Sequence, residues 1–257
     1  MPLELTGEQS PFLFRLAPTQ YAGDVHVRLD CWGVPTRAVP RSFMHMGLDR
    51  WALRREPRRP MFAKLLGTGN GETFTMRDAD AHHWALLTTW ADAEDAVAFT
   101  HGPLMSTWMR FASEHCAFAL EPITSHGRWA DREPFAPSAD PQWPGAIAAI
   151  TRARIRPSQW LAFWRSVPEV SADLRSDPGV LFTLGIGEAP VGLQGTFSVW
   201  RSAQAVREFA YRRPAHQKVI EETARRSWYS EELFARFAVL SATGTYRGLD
   251  VAERLHG

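Results

Sequence analysis

The sequence has little of several features that would assign a protein to a class at once. Only two of its 257 residues are cysteines, Cys31 and Cys116, too few for a disulfide framework or a cysteine-rich metal site. The 29 basic and 28 acidic residues leave a formal net charge of +1, without the basic excess that nucleic-acid binding needs. No stretch approaches the ~18 uncharged apolar residues of a membrane helix. The first residues lack the basic and apolar regions of a signal peptide. We therefore expect a cytoplasmic protein with no transmembrane segment and no nucleic-acid partner.

Aromatic residues are abundant and unevenly chosen. The chain has 11 Trp and 15 Phe but only 4 Tyr, in a composition that is 45% hydrophobic. A buried Trp needs a partner for its N–H group, so Trp is rarely placed without a structural reason. Two interpretations stay open, a well-packed core and a wide aromatic pocket for a large apolar ligand.

The order of predicted elements divides the chain into four parts. Residues 1–24 show little periodicity and are predicted to be an N-terminal arm. Strands and helices then follow one another over 25–130 in the order strand, helix, two strands, helix pair, strand. A proline-rich stretch at 131–144 is typical of a linker. The same order of elements repeats over 145–257.

The repeat is supported by residue matches. The segment TTWADAEDAVAFTHGPLMS aligns without a gap with SVWRSAQAVREFAYRRPAH, so that Trp90 matches Trp200 and Phe99 matches Phe209. A β-α-β-β-α-β unit is the ferredoxin-like motif. The sequence therefore predicts an α+β fold of two tandem ferredoxin-like halves, with antiparallel sheets and outer helices.

Common catalytic motifs are missing. The segment LLGTGNGE at 65–72 resembles a phosphate-binding loop, but strand-forming residues follow it, whereas a dinucleotide loop leads into a helix. The sequence has no HExxH motif and no GxSxG motif. A zinc protease or a serine hydrolase is therefore not indicated.

His216 is the histidine with the most informative position. Pro214 is suited to the first turn of a helix, on which His216, Val219, Ile220 and Thr223 share one face. A lone histidine on such a face is often a core residue. One imidazole is a poor site for a bare metal ion, but it suffices for haem, because the porphyrin supplies four ligands and the protein one axial donor.

Residues close to His216 in sequence or on neighbouring strands are suited to a haem slot. Arg213 and Lys218 flank the predicted helix and are placed to meet propionates, although a solvated face explains each equally well. A basic run from Arg50 to Arg59 is open to three interpretations: solvated surface, a dock for an acidic electron carrier, or a propionate anchor. The aromatic residues that could line the slot are Phe182, Phe197, Phe209, Trp228, Phe234 and Phe237.

Two segments resemble signature regions of the spheroidene monooxygenase family. They are FAKLLGTGNGETFTMRDADAHHWALLTTW and GTFSVWRSAQAVREFAYRRPAHQKVIEETARRSWYSEELFARF, and the resemblance extends over most of residues 25–247. The resemblance implies haem b with His216 as the axial iron ligand. It also implies the fold of the dimeric α+β barrel group, and oxygen insertion into a hydrophobic carotenoid with electrons from a ferredoxin-type donor. A homodimer is one expectation, and contact between the two halves of one chain is the other.

The distal side of such a haem stays open at the level of sequence. Histidine-ligated haem lacks the electron push of a thiolate, so cleavage of O–O needs a distal donor. The candidates are Lys64, Arg58, Arg152 and Arg154. Three alternatives to a haem monooxygenase remain: a haem-dependent dehydratase or other enzyme of nitrogen substrates, a haem-binding protein without turnover, and a cofactor-free monooxygenase.

Overall fold

A computed structural model of the chain describes residues 24–69, 78–155, 173–188, 195–212 and 229–256. Among these residues, no helix is long and apolar enough to cross a membrane. The strands are β1 (His26–Gly33), β2 (Phe62–Gly69), β3 (Ala79–Trp90), β4 (Glu114–Gly127), β5 (Ile147–Ile155), β6 (Val180–Gly187), β7 (Gly195–Trp200), β8 (Tyr229–Tyr246) and β9 (Leu249–Asp250). The helices are α1 (Val39–Ala52), α2 (Ala93–Phe99), α3 (Pro103–Met109), α4 (Ala203–Arg212) and α5 (Val251–His256), with a 3-10 turn at Thr36–Ala38.

Eight strands form a closed antiparallel barrel. Their order is β4-β1-β3-β2-β6-β7-β5-β8, and β8 pairs with β4 to close the ring. The two halves of the chain meet at two places, the β2–β6 pairing and the long β4–β8 pairing. The short β9 extends β8 as a hairpin. Closure removes the free edges that an open sheet would expose.

The interior of the barrel follows from the two-residue period of its strands. On β1, Leu29 and Cys31 face inward, whereas Arg28 and Asp30 face outward. Rings from several strands fill the interior. Phe118 contacts Phe182 and Phe197 at centroid distances of 5.1 and 5.2 Å.

The helices of the first half cover the outer face of the sheet. Asp92 begins α2 by accepting hydrogen bonds from the amides of Glu94 and Asp95, as an N-cap residue does. Pro103 opens α3 at a position where its missing N–H costs no hydrogen bond. Helices α1 to α3 thereby enclose a second apolar cluster against the outer side of β1 and β3.

The matched residues of the two halves have the same surroundings. The indole N–H of Trp90 donates to Thr88 Oγ1 at 2.9 Å, and that of Trp200 donates to Ser198 Oγ at 2.9 Å. The ring of Trp90 lies 5.0 Å from that of Phe99. The equivalent distance from Trp200 to Phe209 is 5.1 Å.

The predicted α+β class with antiparallel strands and outer helices is confirmed, and its sheet is a closed barrel. The tandem ferredoxin-like halves stay a prediction, because most of the segment between β5 and β6, where the repeated order of elements predicts a helix, lies outside the described residues. The division into parts also stays a prediction. The proline-rich segment 131–144 packs onto the barrel, since Phe135 is 1% exposed and its ring lies 4.9 Å from that of Phe237.

Gly127 is required at the end of the β4–β8 pairing. Its φ is +89°, and a Cβ atom there would lie 2.1 Å from the carbonyl oxygen of Glu232. We expect Gly127→Ala to lower the free energy of unfolding by about 2–4 kcal/mol, from backbone strain and displacement of β8. Denaturant unfolding measures this. Gly47→Ala on α1, where a Cβ meets nothing within 4 Å, is the control, and an equal loss in both variants would contradict the assignment.

Candidate functional site

A polar group that we call the Arg152 cluster closes one end of the barrel interior. It consists of Lys64, Trp129, Arg152, Glu188 and Glu231. The guanidinium of Arg152 donates to Glu188 and to Glu231, each at 2.5 Å, and lies 5.0 Å from the centre of the Trp129 ring. Glu188 also accepts from Lys64 Nζ at 2.6 Å and from the Trp129 indole at 2.7 Å. Two cations and two carboxylates therefore neutralise each other at this end.

The electrostatics of the Arg152 cluster favour the charged forms. Burial raises the pKa of Glu188, but the hydrogen bond from Lys64 and the charges of Lys64 and Arg152 outweigh it and lower the pKa. Arg152 is only 2% exposed, and removal of both of its carboxylates would leave a buried charge without a partner. The cluster thus fixes β2, β5, β6 and β8 relative to one another.

A second polar group, the His83 cluster, closes the opposite end. Its members are Asp80, His83, Glu114, Tyr246 and Arg247. His83 lies between two carboxylates, with Nδ1 at 2.7 Å from Asp80 and Nε2 at 2.8 Å from Glu114. Arg247 donates to Asp80 at 2.5 Å, and its backbone amide donates to Glu114 at 3.0 Å. The ring of Tyr246 contacts His83 at a centroid distance of 4.8 Å.

These contacts shift the ionisation of the His83 cluster. Burial lowers the pKa of His83, but the hydrogen bonds and charges of Asp80 and Glu114 outweigh it, so the pKa lies above its ordinary value. Burial raises the pKa of Asp80, and the hydrogen bonds from His83 and Arg247 lower it well below its ordinary range. The protonated imidazole is therefore the form that this end of the barrel stabilises.

The outer face of the first half is filled. Trp32 stacks on Trp108 with ring centroids 4.8 Å apart, and the Trp108 indole donates to the buried Asp49 at 2.6 Å. Asp30 is fully buried, and Arg28 donates to both of its carboxylate oxygens at 2.9 Å. No space for a flat ligand is left between β1 and the helices at these residues.

The equivalent face of the second half carries small side chains. His26 pairs with Trp90 in the first half, and Ile147 pairs with Trp200 in the second, which sets the correspondence between β1 and β5. Counting along β5 from Ile147, Ala149, Thr151 and Ala153 lie where β1 has Arg28, Asp30 and Trp32. We call these three residues of β5 the small-residue strip. Thr151 is exposed, whereas Ala149 packs beside Ile147 and Trp200 and Ala153 is 8% exposed.

The structure separates the predicted distal cations. Lys64 and Arg152 meet inside the barrel, where both are paired with Glu188. Arg58 lies on the surface in an ion pair with Asp95. Arg154 is exposed near the end of β5.

The predicted aromatic lining is also divided. Phe182 and Phe197 face the barrel interior, together with Phe237. Phe209 lies on the outer face against Trp200. The predicted residues His216, Arg213, Lys218 and Trp228 lie outside the described residues, so their roles stay predictions.

Within the described ranges, no group of three or more His, Cys, Asp or Glu side chains is placed to hold a metal ion.

Sequence reasoning missed both polar clusters. Glu114 and Arg247 are 31 and 164 positions from His83, and no local motif connects them. Only the pairing of the strands brings them together.

Comparison with known proteins shows to which family the chain belongs. No family model matches the chain. The spheroidene monooxygenase of Rhodobacter capsulatus is 36% identical over 220 residues, covering 84% of this chain and 90% of that protein. The spheroidene monooxygenase of Rubrivivax gelatinosus is 38% identical over 188 residues, covering 73% and 72% of the two chains. The chain belongs to the spheroidene monooxygenase family. The family resemblance found in the sequence is thus confirmed.

A solved structure supports the fold of this spheroidene monooxygenase family member. A crystal structure of an aldoxime dehydratase is similar over 89% of each chain, with a TM-score of 0.55 and 12% sequence identity. At that identity the likeness concerns the fold alone.

The ionisation of His83 makes stability depend on pH. Because its folded-state pKa is raised, its contribution is full below about pH 6.5, the ordinary histidine value, and is lost as the pH rises through the folded-state value. We expect the free energy of unfolding of the wild type to fall over that window and the slope to flatten in His83→Gln. Denaturant unfolding at a series of pH values measures both. The exposed His101→Gln is the control, and equal slopes in wild type and His83→Gln would refute the assignment.

Proposed function

We propose that the chain is a haem-dependent monooxygenase that inserts oxygen into a carotenoid. The observation that carries the reaction class is family membership, with 36–38% identity to two spheroidene monooxygenases over most of the chain. The substrate class follows from the name of those relatives. The haem is supported by the donors of this chain and by the small-residue strip.

The side chains that could bind a metal are suited to a cofactor that needs only one ligand from the protein. The described residues contain no three-ligand metal site, and His216 is a single imidazole in a segment that the sequence predicts to be helical. Haem, when bound, supplies the iron chemistry that activates oxygen, which no side chain provides. His216 is the proposed axial ligand, with Arg213 and Lys218 as the proposed partners of the propionates.

The outer face of the second half is the proposed wall of the haem site. Helix α4 packs Phe209 on Trp200 outside the barrel, and the chain leaves α4 only four residues before His216. The small-residue strip lies on the same side of the sheet. Trp228 is the further aromatic residue proposed for this site. Phe182 and Phe197 would support it from inside the barrel, behind the wall.

The geometry does not single out one of the distal candidates named from the sequence. Lys64 and Arg152 are paired with carboxylates in the barrel interior, and Arg58 is paired with Asp95. Arg154 is exposed, but strand alternation places it on the opposite face of β5 from the small-residue strip, and its charge helps to lower the pKa of Glu231. Arg152 is instead proposed as a positioning residue that holds β5 in place.

The partners follow from the stoichiometry. When one atom of O2 enters a C–H bond and the other leaves as water, two electrons and two protons are consumed. A ferredoxin-type donor is the proposed source of the electrons.

Each half is proposed to be a ferredoxin-like unit, which the strand orders β4-β1-β3-β2 and β8-β5-β7-β6 support. A homodimer and the cytoplasm are the proposed assembly and location.

Haem retention tests the proposed site without any need for turnover. We expect His216→Ala, purified from haem-supplied cells, to lose most of its haem, because the one protein ligand is removed. Thr151→Trp should lose haem as well, because an indole in the middle of the strip would occupy the proposed haem face. The measurement is Soret absorbance per chain, with a pyridine haemochrome assay.

Two substitutions in the first half are the controls. His101→Ala and Ser106→Trp change exposed residues far from the strip in sequence, and both should keep the haem content of the wild type. Full haem content in His216→Ala would remove the axial assignment. A colourless wild-type protein that does not take up haemin would overturn the cofactor.

Oxygen dependence tests the reaction class. We expect a carotenoid product that carries label from ¹⁸O2 and that forms only with oxygen and a reducing ferredoxin system, because insertion consumes two electrons. Mass spectrometry of the extracted pigment measures the label. The anaerobic reaction and the reaction without reductant are the controls. Turnover that persists without oxygen would refute the proposal and favour dehydration chemistry.

A further inference from the structure

Helix α1 packs Val39 and Met46 against the second apolar cluster but leaves a further set of large apolar side chains exposed on its outer side. Met44, Leu48 and Trp51 share one face at spacings of four and three, and they are 53%, 55% and 55% exposed. Phe43, at the edge of that face, is 44% exposed. Ordinary surface helices keep their apolar side against the core.

The side of α1 that faces the sheet contains polar residues held by specific bonds. Ser42 is fully buried and donates to the carbonyl of Ala38 at 3.2 Å. Asp49 is buried, accepts from the Trp108 indole at 2.6 Å and contacts His45 Nδ1 at 3.1 Å. These bonds fix the rotation of the helix. The exposed apolar face is therefore a built feature of α1 and not a consequence of loose packing.

Arginines surround the apolar face. From Arg37 to Arg59 the chain has seven arginines and two carboxylates, Asp49 and Glu56. Both carboxylates are buried, and Glu56 accepts from the amide of Leu104 at 3.0 Å. Within the described residues, one of the seven, Arg58, forms an ion pair. The other six are exposed and form no ion pair with a described residue: Arg37, Arg41, Arg50, Arg54, Arg55 and Arg59.

The arginines are placed beside the apolar side chains. The guanidinium of Arg54 lies 5.0 Å from the centre of the Trp51 ring, and that of Arg41 lies 4.7 Å from the centre of the Phe111 ring. Such contacts hold a cation at the level of an aromatic ring. An interface between water and lipid has the same layering, with apolar rings below and charged groups at the headgroups.

We propose that α1 and the arginines around it form a membrane-docking face that binds anionic phospholipid surfaces. A bilayer with anionic headgroups satisfies the apolar stripe and the positive charge together. An acidic protein would match the arginines but leave four large apolar side chains without an apolar partner. A second copy of this chain would cover the apolar stripe but bring arginines against arginines, because a twofold interface uses the same patch twice.

The docking face also accounts for how such an enzyme meets its substrate, a point that rests on the proposed function. A carotenoid is held in membranes, and its transfer from the bilayer into water on the way to a protein would be unfavourable. A protein that lies on the bilayer through α1 takes up the pigment locally. The binding itself requires neither haem nor substrate.

Vesicle flotation of the full-length protein tests the proposal. We expect the protein to float with vesicles of phosphatidylcholine and phosphatidylglycerol, and much less with phosphatidylcholine alone. Leu48→Gln with Trp51→Gln should reduce partitioning at least about tenfold, because two apolar side chains no longer enter the bilayer. Arg50→Gln with Arg54→Gln should reduce it about 30-fold, as ~1 kcal/mol per basic residue near an anionic surface implies. This second loss should shrink in high salt.

The control is a double variant of equal size elsewhere on the surface. Leu240→Gln with Leu249→Gln changes two exposed leucines outside α1 and should float as the wild type does. Circular dichroism establishes that each variant is folded. Vesicle binding that is absent, or equal for neutral and anionic lipid, would overturn the proposal. The proposal would also be overturned if the wild type were a dimer, if Leu48→Gln with Trp51→Gln dissociated that dimer, and if no form of the protein bound vesicles.

The test separates this inference from the proposed function. If flotation fails while detergent-dispersed carotenoid is still oxygenated, the docking face is wrong and the enzyme assignment stands. If flotation succeeds and no oxygenation occurs with haem present, the docking face stands and the enzyme assignment is wrong.

Discussion

The pairing of β4 with β8 closes the sheet, and the position of every other feature depends on that closure. From Cys116 to Gly127, β4 aligns with β8 and joins the last strand of one half to the last strand of the other. Once the ring is closed, inward-facing side chains fill the barrel, and the polar clusters around Arg152 and His83 close its two ends. The interior is then occupied by protein. A large flat cofactor or a long apolar substrate is therefore proposed to bind on the outer side.

The outer side is where the two halves differ. Both halves keep the same pair of a tryptophan and a hydrogen-bonded hydroxyl on their third strand. They diverge on the first strand, where β1 has the large side chains of Arg28, Asp30 and Trp32 and the equivalent positions of β5 have the small-residue strip. A duplicated scaffold can in this way assign packing to one copy and ligand binding to the other without a change in the barrel.

Local sequence patterns predicted the elements and the repeat better than they predicted the sites. The match of Trp90 with Trp200 was readable because each is spaced nine residues from a phenylalanine in the next helix. Strand alternation puts His83 inside the barrel and His82 near the surface. Their partners were not readable, because Glu114 and Arg247 reach His83 through strand pairing over long separations. Lys64 and Arg152 were proposed as free distal donors since sequence does not reveal that Glu188 neutralises both.

For helix α1, the periodicity of the sequence alone gives the wrong prediction of which residues are buried. The repeat of Met44, Leu48 and Trp51 predicts a helix, and by the usual rule it predicts that this stripe is buried. The structure buries Ser42 and Asp49 instead, because Trp108 supplies a donor for the carboxylate and an unpaired buried carboxylate would be costly. An enzyme whose substrate dissolves only in lipid gains from such a helix, since the apolar area left in water on one side is recovered on the bilayer. In the proposed arrangement the exposed stripe and the filled barrel are complementary, because the stripe would hold the protein at the membrane and the filled barrel would leave the outer face of the second half for the ligand.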